Sequence, residues 1–484
     1  MKAQTLLLWF LCLTLLLPAT VRAEFEYTSD NGEITITRYA GTGGAVIIPD
    51  TIAGLPVTRV GNYAFALRSD ITSVTIGGNV RTIETQGFSD CTGMTSITIP
   101  DSVTSIGKFA FSNCDSLTGV TIPDSVTNLS DYSFAFCDRL NSVAIGSGVT
   151  AIGYAAFEGP TILSAITVDE HNPAFSSVAG VLFNRSRTTL IHCPRGKTGV
   201  YTIPQEVTRI EDEAFTTCHR LTAITIPGSV NSIGYWAFLG CSSLGRIDVP
   251  GSVANLPDRV FDRCLALTNV TMSAGLTNVG VQAFAGCSRL AQIQLPEGVV
   301  AVGDQAFAGC SRLKTVIFPS SLARLGSRAF SGCIGLPEIA LGCNVSSIGD
   351  RAFEGCSSLT RVTFEGDAPT AVGSSVFDGS SNVTIYHLLG TEGWNPLFAG
   401  RRTDAWVLPN PVILRNSSAG VRNGQFGFTI SWAAPKPIVV ESSTNLTNPE
   451  WTPLSTTSLN GGVAHFTDPQ WTNHPARIYR IVVP

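Results

Sequence analysis

The sequence predicts a β-rich solenoid followed by a small C-terminal all-β sandwich. Each coil should carry parallel strands on one face and short helical or 3-10 turns on the other. Three observations lead there. Ten cysteines recur every 23 residues in two runs: Cys91, Cys114 and Cys137, then Cys218, Cys241, Cys264, Cys287, Cys310, Cys333 and Cys356. Phenylalanine stands three positions before each, from Phe88 to Phe353, and an apolar residue from Met94 to Leu359 stands three positions after. Past residue 377 this period stops, and past 408 short alternating segments take over. A fixed period of about 20–50 residues marks units that stack because none folds alone.

Residues 1–23 read as an export signal. Lys2 gives a basic start, Leu6 to Leu17 an apolar stretch, Pro18 a break, and Val21-Arg22-Ala23 a cleavage site. The stretch is too short for a membrane span, which needs about 20 apolar residues. The mature chain is therefore expected to be secreted, extracellular or held at the cell surface. Residues 24–56 read as an N-terminal cap, because Phe25–Thr28 and Glu33–Ile36 alternate around Asp30-Asn31-Gly32, a hairpin-turn signal.

The repeats occupy 57–377. A well-preserved copy runs Ile99-Pro100-Asp101-Ser102-Val103-Thr104-Ser105-Ile106-Gly107, then Ala110-Phe111, Cys114, Leu117, Val120 and Ile122-Pro123. The alternation from Val120 to Ile122 is a short strand, ended by proline. Phe, Cys and Leu at spacing three would share one side of a helical or 3-10 turn. Glycines 107, 153, 234, 280, 303, 326 and 349 recur four residues before the phenylalanine, where a corner with positive φ is expected. One unit buries too few apolar side chains to offset the ordering of its own backbone, so it needs neighbours.

From Phe157 to Phe215 the period fails, and 169–200 reads as an irregular unit. Gly180–Phe183 and Thr188–Ile191 look like strands about a polar turn. Gly196-Lys197-Thr198 echoes a phosphate loop, but Ile191 stands where its first glycine belongs. Residues 378–408 read as a C-terminal cap with Trp394 and Trp406, ending in a Leu408-Pro409-Asn410-Pro411 linker. Five alternating segments then make 409–484 a β-sandwich module.

The pattern I-P-x-S-V-T-x-I-G-x-x-A-F-x-x-C-x-x-L-T-x-I-T resembles the BspA-type (treponemal-type) leucine-rich repeat over residues 57–377. The resemblance implies a right-handed leucine-rich-repeat solenoid with a parallel sheet on one side. It also implies an exported protein, often at a bacterial or protist surface, used for adhesion or protein binding. It brings no catalytic residues.

Composition fits a rigid, exported β-rich array. Charged residues are 14 % against about 25 % in ordinary domains, the net charge is −5, and no basic stripe suggests nucleic acid. The six histidines lack metal-ligand spacing, and no hydrolase motif occurs, so neither enzyme activity nor a cofactor is expected. The ladder cysteines read as reduced, buried apolar plugs, because stacked Cβ atoms point the same way and stay too far apart for a bridge. Cys193 and Cys343 lie off the ladder. Arg139, Arg220, Arg289 and Arg312 recur before the ladder leucine and should lie over neighbouring coils, with a glycan or polyanion site as the sharper reading.

Outward strand positions are the candidate contacts. Early coils present a lawn of Ser and Thr. Later ones carry Arg246, Asp248, Asn269, Gln292, Gln294, Ile317, Glu338 and Arg361. Binding surfaces combine polar anchors with apolar area, so a protein partner, of the extracellular matrix or another cell surface, is expected over 246–361. The alternative is a glycan, matrix or sorting role for the C-terminal sandwich, with the solenoid as spacer.

Overall fold

The computed structural model describes residues 24–484 apart from Ser417, Pro435, Leu446 and Pro475. The expected export signal lies outside the described residues. Two compact units are present, one ending at Arg185 and one beginning at Ser186.

Each coil in both units contributes its alternating segment to a parallel ladder. In the first unit Gly119–Ile122 pairs with Ser142–Ile145 and that with Ala165–Val168. In the second, Arg246–Val249 pairs with Asn269–Met272, and Glu338–Leu341 with Arg361–Phe364. Register partners sit one repeat apart, so Val120 meets Val143 and both are buried. A second parallel ladder was not expected. Two-residue strands such as Ser105–Ile106, Asn128–Leu129 and Ala151–Ile152, and later Asn278–Val279, Ala301–Val302 and Arg324–Leu325, stack in register. With one inward residue per strand, no period could reveal them.

The third side carries the phenylalanines, and it is not a helical turn. Residues two before and two after the phenylalanine take positive φ: Gln86 and Asp90 about Phe88, Phe109 and Asn113 about Phe111, Gln282 and Gly286 about Phe284. Spacing of three arises from single turns, as in Ser112 N–H to the Phe109 carbonyl and Leu117 N–H to the Cys114 carbonyl. Alternate N–H groups then point along the stack. Gln86, Phe88 and Asp90 donate to Lys108, Ala110 and Ser112 at 2.9, 2.8 and 2.8 Å. The one short 3-10 helix among the described residues, Trp471–Asn473, lies in the C-terminal module.

Stacking aligns the phenylalanine rings into columns. Centroids lie 4.7 Å apart for Phe65–Phe88 and 5.2 Å for Phe284–Phe307, the latter pair nearly parallel. In the first unit Phe25 and Tyr39 extend the column into the cap. The cap hairpin forms as expected, Phe25–Asp30 against Glu33–Tyr39 with Asn31 and Gly32 at positive φ.

The glycines four residues before the phenylalanine do not have positive φ, contrary to expectation. Their reason is close approach. A Cβ on Gly107 would lie 2.7 Å from the Glu84 carbonyl carbon, on Gly280 2.6 Å from that of Pro257, and on Gly349 2.4 Å from the Ser327 nitrogen. An aspartate in the coil before often adds to the crowding. Asp131, Asp212, Asp258, Asp304 and Asp350 accept the N–H of Tyr154, Tyr235, Val281, Ser327 and Ser374. Glycines with positive φ stand instead just before the cysteine, at Gly240, Gly286, Gly309, Gly332 and Gly355.

In the irregular stretch, Phe175–Val178 and Val181–Asn184 form a hairpin in the first unit. Asn172 supports it from full burial, donating to Gly146 and Val149 carbonyls and accepting from Ala174 and Phe175. In the second unit Thr189–His192 is a strand, and Gly196–Thr198 lies in a turn with Lys197 over the Tyr201 ring. The C-terminal module is a sandwich of a four-stranded and a three-stranded sheet around Phe428, Ile430, Trp432, Ile438, Val440 and Phe466. Its Asn416 donates to Asp367 at 3.0 Å, and Trp432 Nε1 to the Pro409 carbonyl at 3.2 Å.

Gly280→Ala should lower stability by roughly 2–3 kcal/mol through backbone overlap, whereas Gly309→Ala should cost about 1 kcal/mol for its left-handed conformation alone. Urea midpoints of the two variants against the parent check the order; equal shifts would contradict the close-approach account.

Candidate binding face

Outward strand residues in the second unit alternate with buried Ile247, Val270, Ile293, Val316 and Ile339. Arg246, Asp248, Asn269, Gln292, Gln294, Ile317 and Glu338 are exposed, and Arg361 is half-buried. They are not equally free. Arg246 pairs with Asp248 on its own strand at 3.1 Å, and Thr271 donates to the same carboxylate. Arg361 stacks on Tyr386 with its guanidinium 4.3 Å from the ring centre. Thr363, which the alternation places outward, is buried with Tyr386 as its register partner.

Between these occupied ends lies a shallow concavity of about 370 Å³ lined by Asn269, Thr271, Met272, Gln292, Gln294, Pro296, Thr315 and Ile317. Register brings Gln292 beside Thr315 and Gln294 beside Ile317. Ile317 is 50 % exposed. The outward alternation names six of these residues and misses Met272 and Pro296, which follow the strand where the alternation ends. The comparable concavity in the first unit is lined by Thr98, Gly119, Thr121, Ser142, Ala144 and Thr167, without charge or amide.

The ladder cysteines have a role beyond plugging. All ten are buried and unpaired, and nine donate the thiol to the phenylalanine carbonyl of the preceding coil. Cys91 reaches the Phe65 carbonyl at 3.1 Å, Cys264 that of Phe238 at 3.3 Å and Cys356 that of Phe330 at 3.1 Å. Cys218, the first of the second run, instead reaches the Cys193 carbonyl at 3.5 Å. Other donors take over at the ends. Arg68, one repeat before Cys91, donates to the Tyr39 carbonyl at 2.9 Å; Ser380 donates to Phe353 at 2.9 Å and Arg401 to Phe377 at 2.7 Å. Arg68 and Ser380 at the ladder position were the available sequence signal. Burial pushes the thiols up, Cys91 and Cys356 to about 12, so they stay protonated donors.

Residues 58–186, 197–299 and 283–389 match the BspA-type leucine-rich repeat region. The chain belongs to the BspA-type leucine-rich repeat family. No curated protein matches the sequence. Among solved structures, a leucine-rich repeat protein from Bacteroides ovatus is 25 % identical, with 79 % of this chain and 98 % of that one covered and a TM-score of 0.60. One from Eubacterium ventriosum is 24 % identical over 73 % and 91 % at 0.50, and the pneumococcal vaccine antigen PcpA 17 % identical over 80 % and 98 % at 0.50. These likenesses establish the leucine-rich-repeat fold.

No cluster of three metal-ligating side chains occurs among the described residues, and no helix there is long and apolar enough to cross a membrane. Cys193 is buried, while Cys343 is partly exposed in a groove of about 690 Å³ with Leu388, Trp406, Arg415 and Ile481. His192 shows a ring edge but seals Nε2 without a partner. Burial first, and Arg195 second, pull its pKa down to about 4.

Two outcomes follow. Cys264→Val should cost roughly 1–3 kcal/mol by leaving the Phe238 carbonyl unsatisfied, and Cys264→Ser less, because a hydroxyl keeps the donor; denaturant midpoints rank them. His192 has a lower pKa folded than unfolded, so the unfolded chain takes the proton first. Stability should therefore fall as pH drops from about 6.5 through 4, and His192→Gln should flatten that decline in thermal melts taken across the range.

Proposed function

We propose that this chain is an exported, non-catalytic scaffold that holds an extracellular protein partner on the strand face of residues 246–361. One observation carries the reading: the concavity at Asn269–Ile317 joins side-chain amides to an exposed isoleucine. The comparable concavity of the first unit has no side-chain amide or charge, and the exposed isoleucine of that unit's strand face, Ile47, lies outside it. Amides that both donate and accept, next to apolar area, suit a protein surface. Rigid stacking holds them at fixed spacing, which lowers the ordering cost of binding.

A second reading gives the contact to the sandwich. Its exposed side carries Trp451 under Arg480, whose guanidinium lies 4.4 Å from the ring centre and pairs with Glu441. Stacked aromatic and cationic groups of this kind serve glycan or matrix attachment.

Adhesion of the purified mature chain to surfaces coated with extracellular-matrix protein separates the two. Gln294→Asp with Ile317→Asp should weaken binding roughly tenfold or more, while Trp451→Ala should leave it unchanged. The reverse pattern would move the function to the sandwich, and sustained turnover in a hydrolase screen would remove the non-catalytic assignment. Fractionation of expressing cells should place a chain starting at residue 24 in the medium or on the outer surface.

A further inference from the structure

We propose that the partner presents an acidic, extended peptide segment, which lies across the 269–317 concavity and places its carboxylates on Arg289, Arg312 and Lys314. This rests on the strand-face reading above and names the chemistry of the partner. Arg289 and Arg312 occupy the same position in successive coils. The coils are locked in register on both sides of them, by Ser311 Oγ to the Ser288 carbonyl at 3.4 Å and by Lys314 N–H to the Ala291 carbonyl at 2.8 Å. Two guanidinium stems thus leave the backbone one coil apart, about 4.8 Å, with an exposed ammonium at the start of the adjoining strand.

Like charges so placed repel, and none of the three makes an ion pair with a described residue. Arg220, Arg259, Arg263 and Arg324 of the second unit are likewise exposed without an ion pair among the described residues. None of them stands with a second such arginine and a lysine in adjoining coils at this concavity, and the remaining arginines of the strand face are engaged. Arg209, Arg246, Arg328 and Arg351 each have an acid within 4 Å, and Arg361 has a ring. The corresponding Arg139 of the first unit stands beside Asp138 in sequence, in a corner where Asp90 and Asp138 raise the Asp115 pKa after burial does. On a chain of net charge −5, an unpaired trio of cations is a site for anions rather than a solubility device.

The adjoining concavity selects which anion. Gln292 and Gln294 offer donor and acceptor together, the pairing that peptide groups need. Ile317, Met272 and Pro296 add apolar surface at the far side, where an aliphatic side chain of a peptide fits and a sulfated sugar does not. Glu338 is exposed one repeat after Thr315, where it would repel a carboxylate that strays into the next coil.

The test uses the full mature chain and a synthetic dodecapeptide of alternating Glu and Leu, with the Gln-Leu peptide and a sulfated heparin hexasaccharide as comparisons. Calorimetric or fluorescence titration should show binding of the Glu-Leu peptide that weakens with salt. Arg289→Ala with Arg312→Ala and Lys314→Ala should weaken it roughly ten- to a hundredfold, Glu338→Gln should tighten it, and the Gln-Leu peptide should bind poorly. All four positions are exposed, and unchanged melting curves certify the variants. Absence of binding, binding indifferent to the triple substitution, or tighter capture of the hexasaccharide would each overturn the proposal. If Gln294→Asp with Ile317→Asp still abolishes matrix adhesion while the peptide does not bind, only the acidic-segment inference fails; if adhesion is also indifferent, the strand-face reading fails with it.

Discussion

A hydrogen bond from the ladder position to the phenylalanine carbonyl one coil back sets the conditions for the rest of this solenoid. The phenylalanine N–H already points forward to the next coil, as Phe88 does to Ala110. Its carbonyl is left deep in a core of stacked rings, where an unsatisfied acceptor is expensive. Cysteine suits that place because its thiol is small, mostly apolar and still a donor. Where the column opens toward solvent, stronger donors appear: Arg68 at the start, Ser380 and Arg401 at the end. The succession of thiol, hydroxyl and guanidinium on one acceptor shows that the position is defined by donation, with size as a second condition.

Stacking at one strand spacing also fixes which residues can face each other along the axis. Glycine before the phenylalanine turn is needed where the preceding backbone, and often its aspartate, occupies the space of a Cβ. Asp212 with Gly234, Asp258 with Gly280 and Asp304 with Gly326 are single solutions spread over two repeats. The repeat is therefore a nearest-neighbour code, in keeping with solenoid energetics, where interfaces between units supply stability the units lack.

Freedom to vary survives on the outward strand positions, since their side chains leave the stack. Selection for a contact can act there without disturbing the core, and the second unit differs from the first in that place. Ion pairing and stacking occupy the flanks at Arg246–Asp248 and Arg361–Tyr386, leaving amides, Ile317 and three cations between them.

The 23-residue period, the inward phenylalanine, cysteine and leucine, the strand alternation and the cap hairpin were legible in the residues, because each depends on local pattern or identical stacking. The sandwich strands were legible for the same reason. Other features were decided only when coils met. Single-residue inward positions hid the second parallel ladder, and spacing of three imitated a helix that paired left-handed residues replace. The glycines were assigned to a local φ when their cause is a neighbour 23 residues away in sequence. Thr363 and Tyr386 changed place for a similar reason, since the register partner lies on another strand. Outward residues could be named from alternation, but the concavity and the partners of each charge depend on which coil packs beside which. Sequence determines a coil and its period; distance between coils determines what each polar group finds.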